Sequence, residues 1–130
     1  MAVRRQAGVT LDTGALLGVE RGSPRMYALL QLWHERSLRI LIPAGVLAQA
    51  WRGSHRQARL AQLLKRENVT IVGLDAEAAL AIGALCGRSG TADIVDASVA
   101  HCARWHGHRV VTSDPGDIAK LDPSLELIVV

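Results

Sequence analysis

The sequence has very few aromatic side chains and little sulfur. Its 130 residues include no phenylalanine, one tyrosine, three tryptophans and two cysteines. Because 49% of the residues are nevertheless hydrophobic, the chain is too apolar to be disordered, and its core must be mainly aliphatic. Cys86 and Cys102 lie among small apolar residues in predicted helices, which indicates a reduced, buried pair in a cytoplasmic protein.

Sequence signals of several other protein classes are also missing. No apolar run approaches the roughly 18 residues that a membrane-spanning helix needs, and the N-terminal MAVRRQAGVTLD lacks the apolar centre of a signal peptide. We therefore expect no membrane partner. The chain has no P-loop, no GxGxxG and no serine nucleophile elbow, and its histidines lack the spacing of a zinc protease. We expect these histidines at the surface or on a polar rim: His34, His55, His101, His106 and His108.

Predicted strands alternate with predicted helices through most of the chain. The strands are apolar or β-branched runs at residues 8–12, 38–42, 69–74, 108–112 and 125–130. Helical periodicity follows at residues 13–17, 26–36, 44–51, 56–67, 76–86 and between 91 and 107. This alternation predicts a three-layer α/β/α fold with a central parallel sheet of four to five strands. The length predicts a single domain, residues 1–130.

The segment TADIVDASVAHCARWHGHRVVTSDPGD, residues 91–117, is acidic near both ends. Thr91 is the predicted N-cap of a helix that carries Asp93 in its first turn and Asp96 three residues later on the same face. The strand HRVVT follows, and SDPGD after it is predicted as a turn. Asp114 therefore lies just past the carboxyl end of a strand, where ligands bind in open α/β sheets.

Four carboxylates from distant parts of the chain are expected to meet at this edge. Asp12 and Asp114 each end a predicted parallel strand, and Asp93 and Asp96 begin the helix that leads into the Asp114 strand. Like charges placed together raise one another's pKa unless a cation is present. An all-oxygen group of this kind suits Mg²⁺ or Mn²⁺ and not zinc, and such an ion can activate water at a phosphodiester.

Most of these acids also have a purely structural interpretation. Asp12 could simply cap a helix, and Asp93 could only complement the helix dipole. Asp114 and Asp117 could be turn formers. Asp96 is the hardest to explain structurally, because it lies between apolar residues of a helix and has no local role.

The charge of the chain favours an anionic partner. The net charge is +3 and the predicted pI is about 9.4, which suits nucleic acid, although a solvated basic surface would give the same total. Several basic residues cluster in one segment: Arg52, His55, Arg56, Arg59, Lys65 and Arg66.

Four segments, in this order and at these spacings, resemble a PIN domain of the kind found in VapC-type toxins of bacterial toxin–antitoxin pairs. They are VTLDTGALL, IPAGVLAQAWRG, ADIVDASVA and VVTSDPGDI, and the resemblance covers nearly the whole chain. It implies a parallel α/β/α domain and a Mg²⁺- or Mn²⁺-dependent ribonuclease that cuts RNA with a metal-activated water. It also implies frequent homodimers and a cognate VapB-like antitoxin that blocks the site.

The resemblance assigns roles to the acids by position. Asp12, Asp96 and Asp114 match the acids that hold the metal and act in catalysis. Asp93, which we also count as catalytic, and Asp117 match accessory acidic positions.

Further residues complete the expected site. Thr112 or Ser113 is expected to orient the metal shell or the phosphate. Phosphate contacts position RNA without specifying its sequence, and three arginines are expected to make them: Arg52, Arg56 and Arg59.

The sequence departs from the family pattern at one position. The helix after the second strand usually carries a glutamate, and this chain has Gln49 there. An amide oxygen can still contact a metal or its water, but the loss of one negative charge should weaken metal affinity. The alternative function is therefore a weakly active or non-catalytic PIN-like module that binds RNA or an antitoxin.

Two helices carry apolar residues that suit either a core or a groove for an amphipathic antitoxin segment. These residues are Met26, Leu30, Trp33, Val46 and Trp51.

Overall fold

The computed structural model describes residues 8–130; the expectation of no signal peptide falls partly on residues 1–7, outside the described residues. The strands are β1 (Gly8–Leu11), β2 (Arg39–Pro43), β3 (Val69–Val72), β4 (Arg109–Thr112) and β5 (Leu127–Val129). The helices are α1 (Thr13–Glu20), α2 (Pro24–Glu35), α3 (Ala44–Ala50), α4 (Ala58–Leu64), α5 (Ala76–Ser89), α6 (Ile94–His106) and α7 (Pro115–Leu121). A 3₁₀ turn at His55–Gln57 precedes α4.

All five strands are parallel and form one sheet in the order β3-β2-β1-β4-β5. Val9 at the centre is paired with Ile40 of β2 and with Arg109 of β4. The helices flank this sheet: α1 packs on α2, α3 and α4, whereas α6 packs on α5 and α7. The predicted α/β class and parallel sheet are confirmed, and every strand lies within its predicted segment except for Pro43 at the end of β2.

The core is aliphatic, as the shortage of aromatic residues requires. Val9, Leu11, Val110 and Val111 of the two central strands are fully buried. Strands buried on both faces read as continuous apolar runs, which is why periodicity located β1 and β4 well.

The predicted limits of the helices after β3 are wrong in detail. The N-cap of α6 is Asp93 and not Thr91, since Asp93 Oδ1 accepts from the Asp96 amide at 3.0 Å. Thr91 instead accepts from the Asp93 amide at 3.1 Å. The helix α5 continues past residue 86 to Ser89, because Gly90 and not Gly87 adopts the left-handed conformation, with φ 69°.

The predicted turn at SDPGD is also wrong in part, because α7 begins at Pro115. Proline favours the first position of a helix, where its missing amide hydrogen is not needed. Asp117 therefore lies in the first turn of α7 and not in an irregular turn.

The proposed apolar groove on α2 and α3 is not a groove. Met26, Leu30 and Trp33 are 1% exposed and Val46 is 0% exposed, so these residues are core. Only Trp51 of the set reaches the surface, with 39% of its area exposed.

The prediction that all histidines lie at the surface or on a polar rim is wrong for His108. This side chain is 4% exposed, and its Nδ1 lies 3.3 Å from the hydroxyl of Thr10. Its Nε2 has no partner among residues 8–130, and a Cβ at Gly8 would lie 2.6 Å from that nitrogen. Burial lowers the pKa of His108 to about 4, so the ring is neutral at ordinary pH.

Candidate active site at the carboxyl edge of the sheet

Asp12 joins the end of β1 to the start of α1. Its Oδ1 accepts from the Ala15 amide at 2.8 Å, and its Oδ2 accepts from the Ser113 amide at 3.3 Å. The side chain is 4% exposed, and burial raises its pKa, as does the charge of Asp114. Hydrogen bonds, with Thr112 first among them, act in the opposite direction. Asp12 is thus a helix cap and also a buried charge.

Asp96 lies in the first turn of α6 and is half-buried. Burial raises its pKa to about 6, and the charges of Asp93, Asp117 and Asp12 act in the same direction. The structure therefore gives Asp96 three acidic neighbours: Asp93 at the cap of the same helix, and Asp117 and Asp12 from two other parts of the chain. This is the electrostatic pattern expected of a site that is completed by a cation.

Asp114 follows β4 and occupies the N-cap position of α7. Its amide donates to the Thr112 hydroxyl at 2.9 Å, but its exposed carboxylate makes no capping hydrogen bond. Capping therefore does not account for this carboxylate. Thr112 is fully buried, and its hydroxyl supports Asp12 and Asp114. The expected role of Thr112 or Ser113 in orienting the metal shell or the phosphate stays a prediction.

Gln49 of α3 reaches the same edge through Thr13. The Thr13 hydroxyl donates to Gln49 Oε1 at 2.5 Å, and Thr13 directly follows Asp12 in the chain. The amide of Gln49 therefore lies one residue away from the first acid. Its own contact with a metal stays a prediction.

A contact missed at the sequence level holds the two acidic turns together. A Cβ at Gly14 would lie 1.8 Å from Ser113 Oγ and 3.5 Å from Asp12 Oδ1. The exposed residue Ser113 can therefore sit against the first turn of α1 only because position 14 has no side chain. The glycine in VTLDTGALL was the available sequence signal, but its partner is about a hundred residues away. The adjacent hydrogen bond between Ser113 and Asp12 spans 101 residues.

The donor atoms of these acids suit a hard divalent cation, but the distances between the side chains do not yet form a metal site. All donors are oxygen atoms, and the only ion pair among residues 8–130 joins Arg104 to Asp122. A cavity of about 200 Å³ lies beside Asp93, Asp96 and Asp117, with Lys120 also in its wall. However, no three Asp, Glu, His or Cys side chains of residues 8–130 are placed so that they could hold one metal ion. The carboxylates are thus close enough to repel one another without forming a complete ligand shell.

The PIN domain family model matches residues 9–122, which includes every element from β1 to α7. The chain belongs to the PIN domain family. No curated protein is similar to this PIN domain in sequence at a significant level.

Several solved structures, two of them of toxin–antitoxin proteins, share the fold of this PIN domain. VapBC2 from Rickettsia felis, bound to a DNA fragment from its promoter, is 19% identical, with 94% of this chain and 98% of that chain covered and a TM-score of 0.71. A toxin–antitoxin complex from Klebsiella pneumoniae is 18% identical, with coverages of 94% and 97% and a TM-score of 0.72. PAE2754 from Pyrobaculum aerophilum is 17% identical, with coverages of 92% and 83% and a TM-score of 0.62. At these identities the likeness is one of fold.

The expected RNA-binding arginines of this PIN domain are exposed but differ in their contacts. Arg52 Nη1 donates to the carbonyl oxygens of Ala48 and Trp51, at 3.2 and 2.7 Å. Arg59 Nη1 donates to the Glu20 carbonyl at 3.4 Å, at the far end of α1 from Asp12. Arg56 has no side-chain hydrogen bond within residues 8–130 and is the least engaged of the three.

No single helix in residues 8–130 combines the length and apolar character of a membrane span. Only α5 and α6 taken together, as a pair bent by 112°, reach that length and composition.

Proposed function

We propose that this PIN domain is an Mg²⁺- or Mn²⁺-dependent endoribonuclease toxin that hydrolyses RNA phosphodiester bonds. The observation that carries the proposal is the electrostatic state of Asp96, whose pKa rises to about 6 from burial and from three neighbouring carboxylates. A protein that needed only a fold, or only a surface for polyanionic RNA, would gain nothing from four acids at one edge.

The residues divide the work according to their contacts. Asp12, Asp96 and Asp114 would hold the cation, with Asp93 beside them. A bound divalent cation would supply an activated water and neutralise charge on the phosphodiester. The Ser113 amide and the Thr112 hydroxyl keep the Asp12 carboxylate oriented. Arg56 is free to contact the RNA backbone, where phosphate contacts fix position.

We also propose a VapB-like antitoxin as the partner and the cytoplasm as the place of action. Complexes with antitoxins among the solved structures of the same fold support this partner. The core position of Met26, Leu30, Trp33 and Val46 means that the antitoxin would have to bind elsewhere than the groove expected from the sequence.

The third partner that we propose is a second copy of the chain, bound through α5. Ile82 is the only buried residue of this helix, and Glu77, Leu80, Ala84 and Arg88 form an exposed stripe at helical spacing. Residues 77 and 88 are equally distant from the midpoint of residues 82 and 83. Antiparallel packing about a two-fold axis would therefore place Glu77 of each copy against Arg88 of the other copy.

One alternative has observations in its favour. Gln49 removes a charge from the usual acidic set, and no three of the relevant side chains in residues 8–130 are assembled around one point. A PIN domain that binds RNA or an antitoxin without cutting would need neither a glutamate at position 49 nor three side chains assembled around a metal ion. Calorimetric binding of Mn²⁺ separates the two functions, since a purely binding module has no use for the ion.

The proposal is tested with end-labelled RNA, purified protein and Mn²⁺ or Mg²⁺. Cleavage should require the metal and stop when a chelator is added. Asp96→Asn should abolish cleavage without unfolding the protein, because the amide has the same shape and lacks only the charge. Glu126→Gln, an equal change in charge just before β5 at the opposite edge, should cleave like the parent. Equal cleavage by Asp96→Asn and the parent would show that the site is wrongly assigned.

A further inference from the structure

Trp51 is an exposed aromatic residue in a chain that has few of them. It follows α3 directly and has 39% of its area exposed. Trp33 is buried, and Trp105, which is 70% exposed, lies in the last turn of α6, at the end of that helix opposite to Asp96. Trp51 is therefore the solvent-exposed tryptophan that lies close to Gln49 in the chain.

The loop that presents Trp51 is held by a buried glutamine. Gln57 is 4% exposed. Its Oε1 accepts from the Arg52 amide at 2.8 Å, and its Nε2 donates to the Ala50 carbonyl at 2.8 Å and to Glu20 Oε1 at 2.6 Å. Trp51 lies between Ala50 and Arg52, so the residues on both of its sides are tied to one buried amide. Its ring can therefore bind a ligand without first ordering the loop.

The loop also leaves one edge of the indole open. Gly53 has φ 73°, a conformation that favours glycine. A Cβ at this position would lie 3.9 Å from the Trp51 Nε1 atom. That separation is an ordinary van der Waals contact, so a larger residue at position 53 would be strained by its backbone conformation and its Cβ would touch the ring.

Trp51 is also close to the proposed active site. Gln49, two residues earlier, accepts a hydrogen bond from Thr13, the neighbour of Asp12. The Cα atoms of residues 49 and 51 are no more than about 7.6 Å apart, two steps along a trans-peptide chain. On the other side, exposed Arg52 and Arg56 supply positive charge. An RNA strand that runs from the basic segment to the acids would pass this ring.

We infer that Trp51 is a stacking platform for an unpaired base of a single-stranded RNA. The platform lies beside the carboxyl edge of the sheet, where the scissile phosphate would bind. The inference rests on the proposed function and adds a subsite to it. Stacking on an aromatic ring is tolerant of base identity, because every base has a π-face. The platform would thus select single-stranded over paired RNA and not one sequence.

The test measures binding of a fluorescent single-stranded RNA of about 10 nucleotides, within the range that such surfaces cover. All proteins carry Asp96→Asn, so that the RNA stays intact. Trp51→Leu should weaken binding about tenfold, the size of one lost base stack, while Trp51→Phe should keep most of the affinity. Trp105→Leu, which removes an exposed tryptophan far from the acids, is the matched control and should bind like its parent.

Salt dependence separates stacking from charge. Trp51→Leu should lower the affinity without changing the slope of log affinity against log salt. Arg56→Gln should make that slope shallower by about 0.7, the value for one phosphate contact to a single strand. A shallower slope in Trp51→Leu would overturn the inference.

The remaining outcomes are also decisive. Equal affinity of Trp51→Leu and Trp105→Leu would overturn the stacking platform and leave Trp51 to a protein interface. Absence of RNA binding in all proteins would overturn both the platform and the proposed function. Trp51-dependent binding by a protein whose parent never cuts RNA would overturn only the proposed nuclease.

Discussion

Asp96 is the residue on which the functional account depends. It lies in an otherwise apolar stretch of α6, and its main-chain amide, not its carboxylate, is used by the Asp93 cap. Its carboxylate faces the charges of Asp93, Asp117 and Asp12, which with burial raise its pKa to about 6. A side chain with no structural task and an unfavourable charge is best explained by a ligand that removes the repulsion.

A substitution at Gln49 tests the departure from the family pattern. Gln49→Glu adds the charge that the pattern normally has, next to Thr13 and Asp12. Affinity for Mn²⁺ should tighten by about 1–3 kcal/mol, the difference that a charged partner makes, or roughly tenfold or more. Cleavage at limiting metal should rise with it, and cleavage at saturating metal should change less. Gln62→Glu, at an exposed position of α4, is the control.

A loss of activity in Gln49→Glu would also have a physical explanation. A fifth carboxylate could give the site too much negative charge, and Gln49→Glu combined with Asp93→Asn should then recover the activity. Unchanged metal affinity in both backgrounds would mean that Gln49 is not part of the site.

His108 should make the fold sensitive to acid. Its pKa is about 4 in the fold against an ordinary value of 6.5, so the unfolded chain takes up this proton first as the pH falls. The contribution of neutral His108 is complete above pH 6.5 and is lost as the pH falls towards 4. Urea unfolding of the parent should therefore lose more stability between about pH 7 and about pH 5 than His108→Gln does. The exposed substitution His55→Gln should follow the parent. Equal losses in His108→Gln and the parent would mean that another group causes the effect.

At the scale of elements, the start of α1 and the loop after β4 act as one unit. Gly14→Ala would place a Cβ 1.8 Å from Ser113 Oγ, so the loop must move and the Asp12–Ser113 hydrogen bond of 3.3 Å would be lost. Gly116→Ala, at the same position of α7, meets nothing within 4 Å and should gain up to about 0.5–1 kcal/mol from reduced chain entropy. Unfolding and Mn²⁺ titrations of both variants should therefore diverge. A Gly14→Ala protein with the parent's stability and metal affinity would rule out this contact.

Elements with one dominant cause were predictable from sequence. The strands β1, β2 and β4 are buried aliphatic runs, and the residues that end them place Asp12 and Asp114 at one edge. Elements decided by competing local signals were not. Thr91 and Asp93 are both good N-caps, and only the hydrogen bond to the Asp96 amide distinguishes them. The role of Met26, Leu30 and Trp33 depended on which helix face meets the core, which periodicity does not specify.

Contacts across long sequence separations could not be predicted at all. The contact of Ser113 with Gly14, the burial of His108 against Thr10 and the hydrogen bond from Gln57 to Glu20 each join distant residues. The sequence thus predicted which acids share an edge, and the structure adds what supports them.

At the scale of the whole molecule, the proposed dimer predicts a change of mass. Leu80 is 78% exposed on α5, and Leu80→Glu should convert a dimer into a monomer because it places like charges across the two-fold axis. Leu32→Glu, at an exposed position of α2, should remain dimeric. Light scattering after size-exclusion chromatography reports the mass directly. A parent protein that is already monomeric, or a Leu80→Glu protein with the parent's mass, would exclude α5 as the interface.

Calorimetric titration of the metal-free protein with Mn²⁺ tests the central claim most directly. The account predicts saturable binding to the parent, binding of similar affinity to Glu126→Gln, and a loss of at least about tenfold in Asp96→Asn, equivalent to 1.4 kcal/mol. The fold of all three should be unchanged by circular dichroism. Binding by Asp96→Asn with the parent's affinity, or no binding by any of the three, would contradict the claim that the carboxyl edge of this sheet is a cation site.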